Sequence, residues 1–137
     1  MWIDEQMERM KELKRLIAEK TEDKKRLLAD ITGNTAKYES DGSKNSNNEN
    51  RTEKQYIAYA DFKATEIKEH KKELSDIKFE LHKRIDNIQD SLSRDILKRY
   101  YLDGKSLAVI SKELHYSYNY IRQDKFQKAK KEVEYPT

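Results

Sequence analysis

The stretch Ser106-Leu107-Ala108-Val109-Ile110-Ser111-Lys112-Glu113-Leu114-His115-Tyr116-Ser117-Tyr118-Asn119-Tyr120-Ile121-Arg122-Gln123 decides how this chain is read. Ile110, Leu114, Tyr116 and Ile121 are spaced so that two short helices cross on one core. The small Ser111 beside Ile110 lets them approach closely. Ser106 and Ser117 stand where N-caps are needed, since a hydroxyl accepts a free N–H of a first helical turn. The spacing predicts helices Leu107–Leu114 and Tyr118 to about Val133, a helix-turn-helix pattern. The second helix of such a pair stands proud of the body and fits a DNA major groove.

Two positions strain that pattern. The turn holds His115 where glycine is usual, and histidine enters the left-handed backbone region more readily than most residues. One turn past Ile121, Asp124 occupies a position usually apolar, and a carboxylate facing a core must be paired or protonated. The expectation is a slightly rotated helix, with Phe126, Ala129 and Val133 packing inward and Lys128 drawing Asp124 outward.

Working outward, Ser93 is expected to cap a short helix Arg94–Leu102 that ends at Asp103-Gly104. It carries Ile96, Leu97, Tyr100 and Tyr101; Tyr100, Tyr101 and Tyr116 read as core residues. Further upstream lie two long helices. Residues 2 to about 31 carry Ile3, Met10, Ile17 and Ile31 at seven- or fourteen-residue spacing, with Leu13 and Leu27 on the adjacent row. Lys20 and Lys24 interrupt that seam. Residues 53 to about 90 carry Ala60, Ile67, Leu74, Leu81 and Ile88 at strict seven-residue spacing. Such seams need a partner helix. Between them Gly33 or Asn34 closes the first helix, and an Asn/Ser-rich tract buries nothing, so a flexible loop is expected over 32–52. The fold class is therefore all-α. A long antiparallel, coiled-coil-like helical hairpin (1–91) precedes a three-helix helix-turn-helix module (92–137). Each long helix offers a single seam, so a homodimer through the hairpin would use the same residues as closure within one chain.

Composition supports helices. Among 137 residues, 40% are charged and 35% hydrophobic, with only three glycines and one proline, Pro136. No apolar run approaches the ~18 residues of a membrane span. The opening Met1-Trp2-Ile3-Asp4-Glu5 shows no basic region followed by an apolar stretch, so no secretory signal and a cytoplasmic location are expected. No cysteine is present, which excludes disulfides and thiolate metal sites. Residues 1–91 hold 19 Lys/Arg against 20 Asp/Glu, and residues 92–137 hold 10 against 6. The positive excess sits in the C-terminal segment, which fits a polyanionic partner. His70, His82 and His115 lack the close helical spacing of a metal pair, and no nucleotide-binding glycine motif occurs. No enzyme, no metal site and no cofactor are expected.

From Leu92 onward the chain resembles the fourth region of bacterial sigma factors, a helix-turn-helix that reads the upstream promoter element and touches RNA polymerase. The similar elements are Ile96-Leu97, Tyr100-Tyr101-Leu102-Asp103-Gly104, Leu107, Ile110, Leu114, Ser117 and Ile121-Arg122-Gln123. The overall arrangement is similar to small phage and prophage proteins of Gram-positive bacteria, some of them late-transcription regulators. The resemblance implies that the exposed start of the last helix meets base edges, which gives Tyr118, Asn119, Arg122 and Gln123 as the base-reading set. Arginine forks onto guanine, Asn and Gln pair with adenine, and tyrosine packs on a thymine methyl or binds phosphate. Lys105, Lys112, Ser117, Lys125 and Lys128, with Lys130 and Lys131, would lie near phosphates.

The function expected is a sequence-specific DNA-binding transcription regulator of phage or prophage origin. It would bind double-stranded DNA beside the RNA polymerase of a bacterial host cell. Two other readings stay open. One is a DNA-packaging adaptor like the small terminase subunits; the other is a coiled-coil protein that binds RNA polymerase and not DNA.

Overall fold

The structure, a computed structural model, describes the backbone of residues 1–39 and 46–134 and the side chains of 1–31 and 52–134. These residues are all-helical, with no strand among them. Helix α1 spans Trp2–Glu39 and α2 spans Ser46–Asp86. Asp4 and Glu5 lie in the first turn of α1, and Lys83 and Arg84 in the last turn of α2, each complementing the helix dipole. Helix α3 (Ser91–Leu97) continues as a π-helical segment, Lys98–Leu102. Helix α4 is Leu107–Leu114. A last helix runs over 118–134, π-helical at Tyr120–Phe126 and then α-helical as α5, Gln127–Glu134.

Both long helices reach further into the expected loop than the sequence reading allows. Helix α1 continues through Gly33 and Asn34 to Glu39, and α2 begins at Ser46, not at 53. A helix already nucleated gains one hydrogen bond per residue added, which outweighs a single glycine costing about 1 kcal/mol. The remainder of that expected loop, 40–45, lies outside the described residues. At its far end α2 stops at Asp86, before the expected 90. Ile88 N–H then bonds the Ile85 carbonyl at 3.0 Å and tucks its own side chain into the interior.

The chain divides into two compact units, Met1–Lys11 with Ser75–Thr137, and Glu12–Leu74. In the first, Ile3 and Met10 of α1 are buried, as are Leu81 and Ile85 of α2. Ile96, Leu97, Tyr101, Ile110, Ile121, Phe126, Ala129 and Val133 are buried as well. Full burial of each large side chain contributes about 1.5–3 kcal/mol. The core therefore does not stop at residue 91: the start of α1 and the end of α2 are built into it. The Arg84 guanidinium lies 3.7 Å from the centre of the Trp2 ring and donates to the Val133 carbonyl at 3.3 Å. Ile3 N–H donates to Glu134 at 3.0 Å, and Lys130 pairs with Asp4 at 2.8 Å. Tyr101 shares its hydroxyl with Asp4 at 3.3 Å; burial, then the Asp4 charge, pushes that hydroxyl far above the ordinary tyrosine range.

In the second unit only Leu13 and Ala60 are fully buried among the described residues. Leu16, Ile17, Leu27, Ile67 and Leu74 are half-buried. Lys20 pairs with Glu66 at 2.7 Å and Asp23 with Lys63 at 3.8 Å. Numbers rise on one helix as they fall on the other, so the two stretches run antiparallel. The Lys20 interruption thereby finds its reason. Its side chain is largely covered, and its ammonium reaches a carboxylate on the neighbouring helix.

Candidate nucleic-acid interface

The region singled out by sequence forms as two capped helices around a left-handed turn. Ser106 accepts the Val109 N–H at 3.2 Å and starts α4. His115 ends it at φ 61°, ψ 39°, in the left-handed region expected of it. The His115 N–H reaches the Lys112 carbonyl at 3.4 Å and the Tyr116 N–H the Ser111 carbonyl at 3.0 Å, which satisfies carbonyls a helix end leaves open. Ser117 then accepts the Tyr120 N–H at 3.2 Å. Ser111 is buried, and its hydroxyl donates to the Ala108 carbonyl at 2.7 Å, so the small residue costs no orphaned polar group.

The last helix resolves the Asp124 difficulty in a way the sequence did not disclose. Ile121 and Phe126 are both buried, five residues apart. An α-helix would bring 124 or 125 beneath Ile121; the π-helical turn brings the fifth residue there instead. Ala129 and Val133 continue the buried row at spacings of three and four. Asp124 is left in solvent, and no ion pair joins it to Lys128 among the described residues. The π turn moves Asp124 outward, in place of the expected pull from Lys128.

Tyr118, Asn119, Arg122 and Gln123 are all exposed, while Ile121 among them is fully buried. Lys112 and Lys128 are exposed, as is Ser117, whose oxygen is engaged as the cap. Lys105 and Lys125 are held differently. Lys105 pairs with Glu113 at 3.0 Å, and Lys125 with Asp90 at 3.2 Å. Two tyrosine assignments hold: Tyr101 is buried, and Tyr100, half-buried, meets Phe126 edge-on at 4.8 Å. The third does not. Tyr116 is 46% exposed and stacks on Tyr120 at 5.4 Å, because the left-handed turn carries it off the core.

Three further residues, Asp90, Glu113 and Arg99, shape this region. Asp90, not Ser93, caps α3: its Oδ2 accepts the Ser93 N–H at 3.1 Å and the Ser93 hydroxyl at 2.7 Å. The Ser93 hydroxyl, then Lys125, hold the Asp90 carboxyl below the usual carboxylate range. Glu113 ties α4 to the preceding helix through Lys105 and Arg99, and Lys105 first, then Arg99, holds its carboxyl down. Arg99 also bonds Asp95 at 2.8 Å, the first cause of its raised pKa. Asp is itself among the favoured N-cap residues, and Asp90 stands directly before the first helical residue, Ser91. The Glu113 contacts cross between helices and leave no such mark.

A groove of about 580 Å³ beside this region is lined by Lys78, His82, Lys98, Arg99 and Lys105, and by Asp95 and Asp103. Its mixed charge favours no single class of ligand. Among the described residues, no helix is long and apolar enough to cross a membrane. No protein-family model matches this chain, and comparison with curated proteins and with solved structures finds no match either.

Proposed function

We propose that this chain is a sequence-specific DNA-binding transcription regulator of phage or prophage origin, acting beside host RNA polymerase in the bacterial cytoplasm. Helix α4 and the helix over 118–134 act as a helix-turn-helix similar to the fourth region of sigma factors. The long helices form an antiparallel hairpin whose half-buried seam is available for pairing with a second copy.

One observation carries this reading. Directly after the left-handed turn at His115, Ile121 is anchored inside while Tyr118, Asn119, Arg122 and Gln123 all face solvent. Those side chains match the donor and acceptor patterns of base edges. The alternative pattern, in which Arg122 is sealed in the core or surrounded by acids, would leave nothing to meet a duplex.

The test is selection of genomic fragments with the purified full-length protein, followed by salt titration on the recovered sites. The expected result is enrichment of discrete sites and an affinity that falls steeply as salt rises. Absence of salt-sensitive binding to any duplex at about 50 mM salt overturns the reading.

A further inference from the structure

The basic residues of the C-terminal helices fall into two sets. Lys112, Lys128 and Lys131 are exposed and form no ion pair among the described residues. Lys105, Lys125 and Lys130 each hold a carboxylate, from Glu113, Asp90 and Asp4. These carboxylates are not loose partners. Asp90 Oδ2 accepts from Ser93 N–H, Ser93 Oγ–H and Lys125 Nζ together. Glu113 receives both Lys105 and Arg99. Each acid therefore occupies the position a phosphate oxygen would take on its lysine and cannot swing away without breaking other bonds.

Building on the proposed DNA reading, we infer that Asp90 and Glu113 compete with DNA phosphates for Lys125 and Lys105, so that backbone contacts fall to Lys112, Lys128 and Lys131. Both acids stay charged at neutral pH, because the groups around them hold their carboxyls below the usual range. The acids thus act as positioning residues that cap the number of phosphates engaged. A competing surface ion pair is weak, so its removal raises affinity by no more than about fivefold. Each lysine released to a phosphate steepens the slope of log K against log salt by about 0.9.

The experiment measures binding of the full-length protein to one duplex between about 50 and 200 mM salt, the range over which phosphate contacts dominate. Asp90→Asn removes the charge while keeping an N-cap side chain of equal quality. The expected result is a two- to fivefold gain in affinity with a steeper salt slope. Lys125→Ala alone leaves the slope nearly unchanged, and Asp90→Asn with Lys125→Ala loses the gain. Asp124→Asn removes an exposed acid beside Lys125 that pairs with nothing among the described residues, and serves as the control for general charge. If the gain survives in the double variant, or Asp124→Asn matches Asp90→Asn in affinity and slope, the competition is overturned. A Lys125→Ala slope loss equal to that of Lys128→Ala overturns it as well. Should Asp90→Asn lose helicity by circular dichroism, Glu113→Gln with Lys105→Ala carries the same test. Wild-type protein that binds no duplex defeats the DNA reading itself, whereas binding with unchanged Asp90→Asn behaviour defeats only the competition.

Discussion

The two compact units bury their side chains to different depths, although both are built from the same two long helices. Of the apolar residues fully buried among those described, only Leu13 and Ala60 belong to Glu12–Leu74. The unit containing Met1–Lys11 and Ser75–Thr137 holds all the others, from Ile3 to Val133. Two helices lying side by side shield one stripe each and leave both flanks wet. Further elements add cover in the other unit: Tyr101 of the segment Lys98–Leu102 reaches Asp4, and the helix over 118–134 meets Ile3 and Arg84. The lesson is that a heptad seam fixes which residues face inward but not how far they are removed from water.

The largest expected effects test that contrast directly. Ile121→Ala should lower the stability of its unit by about 2–5 kcal/mol, the range for emptying a fully buried aliphatic site. Ile67→Ala, at a half-buried position, should cost about 1 kcal/mol, since less apolar area is returned to water. Trp2 is the only tryptophan and, half-buried, stacks on Arg84 within the unit that has the deeper core, so its fluorescence reports that unit. Far-ultraviolet circular dichroism reports both. In denaturant, Ile121→Ala should shift the fluorescence transition and Ile67→Ala should leave it in place while broadening the dichroism curve. Identical shifts by both probes in both variants would erase the difference between the units.

Binding should separate the units as sharply. If the proposed DNA reading holds, Arg122→Ala is expected to weaken the best DNA site by about 1–3 kcal/mol, the value of a good bidentate base contact, with thermal stability unchanged. Arg15 offers the comparison: it is exposed in the other unit and pairs with Glu12 at 2.9 Å and Glu19 at 3.0 Å. Arg15→Ala should leave affinity where it was. Equal losses from the two substitutions, read by fluorescence anisotropy, would mean that binding follows total charge and not the reading face.

The turn at His115 gives the next effect. At φ 61° a β-branched side chain clashes with the backbone, so His115→Val should destabilise the protein by about 1–2 kcal/mol. Glycine relieves the strain but adds freedom to the unfolded chain, leaving a net gain of about 0.5 kcal/mol for His115→Gly. Both shifts belong in the Trp2 fluorescence transition. A destabilised glycine variant would show that the histidine side chain, and not its backbone angle, matters at this turn.

What could be read in advance follows from the range of the interactions involved. Caps at Ser106 and Ser117, the bounds of α4 and the left-handed His115 depend on neighbours within a few residues, and the sequence displays them. The exposure of Arg122 and Gln123 follows from burying Ile121 next to them. The bonds that tie Ile3 to Glu134 and Asp4 to Lys130 join residues more than a hundred positions apart, which no local period encodes. The π turn at Tyr120–Phe126 was visible only as a contradiction, a carboxylate at a core position, because an α-helical period was assumed. Tyr116 departs from its spacing for a similar reason: the left-handed turn before it carries an apolar ring outward that the helical period alone places inward. At the start of α3 two residues meet the cap preference, and Asp90 prevails over Ser93 because its carboxylate takes two bonds, from the Ser93 N–H and the Ser93 hydroxyl.

The smallest expected effect concerns the shallower unit, where an ion pair stands in for missing apolar contact. The Lys20 ammonium holds the Glu66 carboxyl below its ordinary range, and Glu66 in turn raises Lys20. The signs follow from linkage. The Glu66 contribution is present above the ordinary value of about 4.3 and is lost as pH falls through the lower folded value. The Lys20 contribution is present below about 10.4 and is lost as pH rises through the higher folded value. The gain is small because Glu66 Oε1 is buried without a hydrogen-bond partner among the described residues, so part of its hydration is given up for nothing. Glu66→Gln should therefore flatten both ends of the pH profile measured by circular dichroism. It should not move the acid transition seen by Trp2, where Asp90 and Glu113 lose their own contributions as pH falls. A Glu66→Gln variant that displaces the fluorescence transition would show that the two units unfold as one. An unchanged dichroism profile would show that the pair contributes nothing to the seam it bridges.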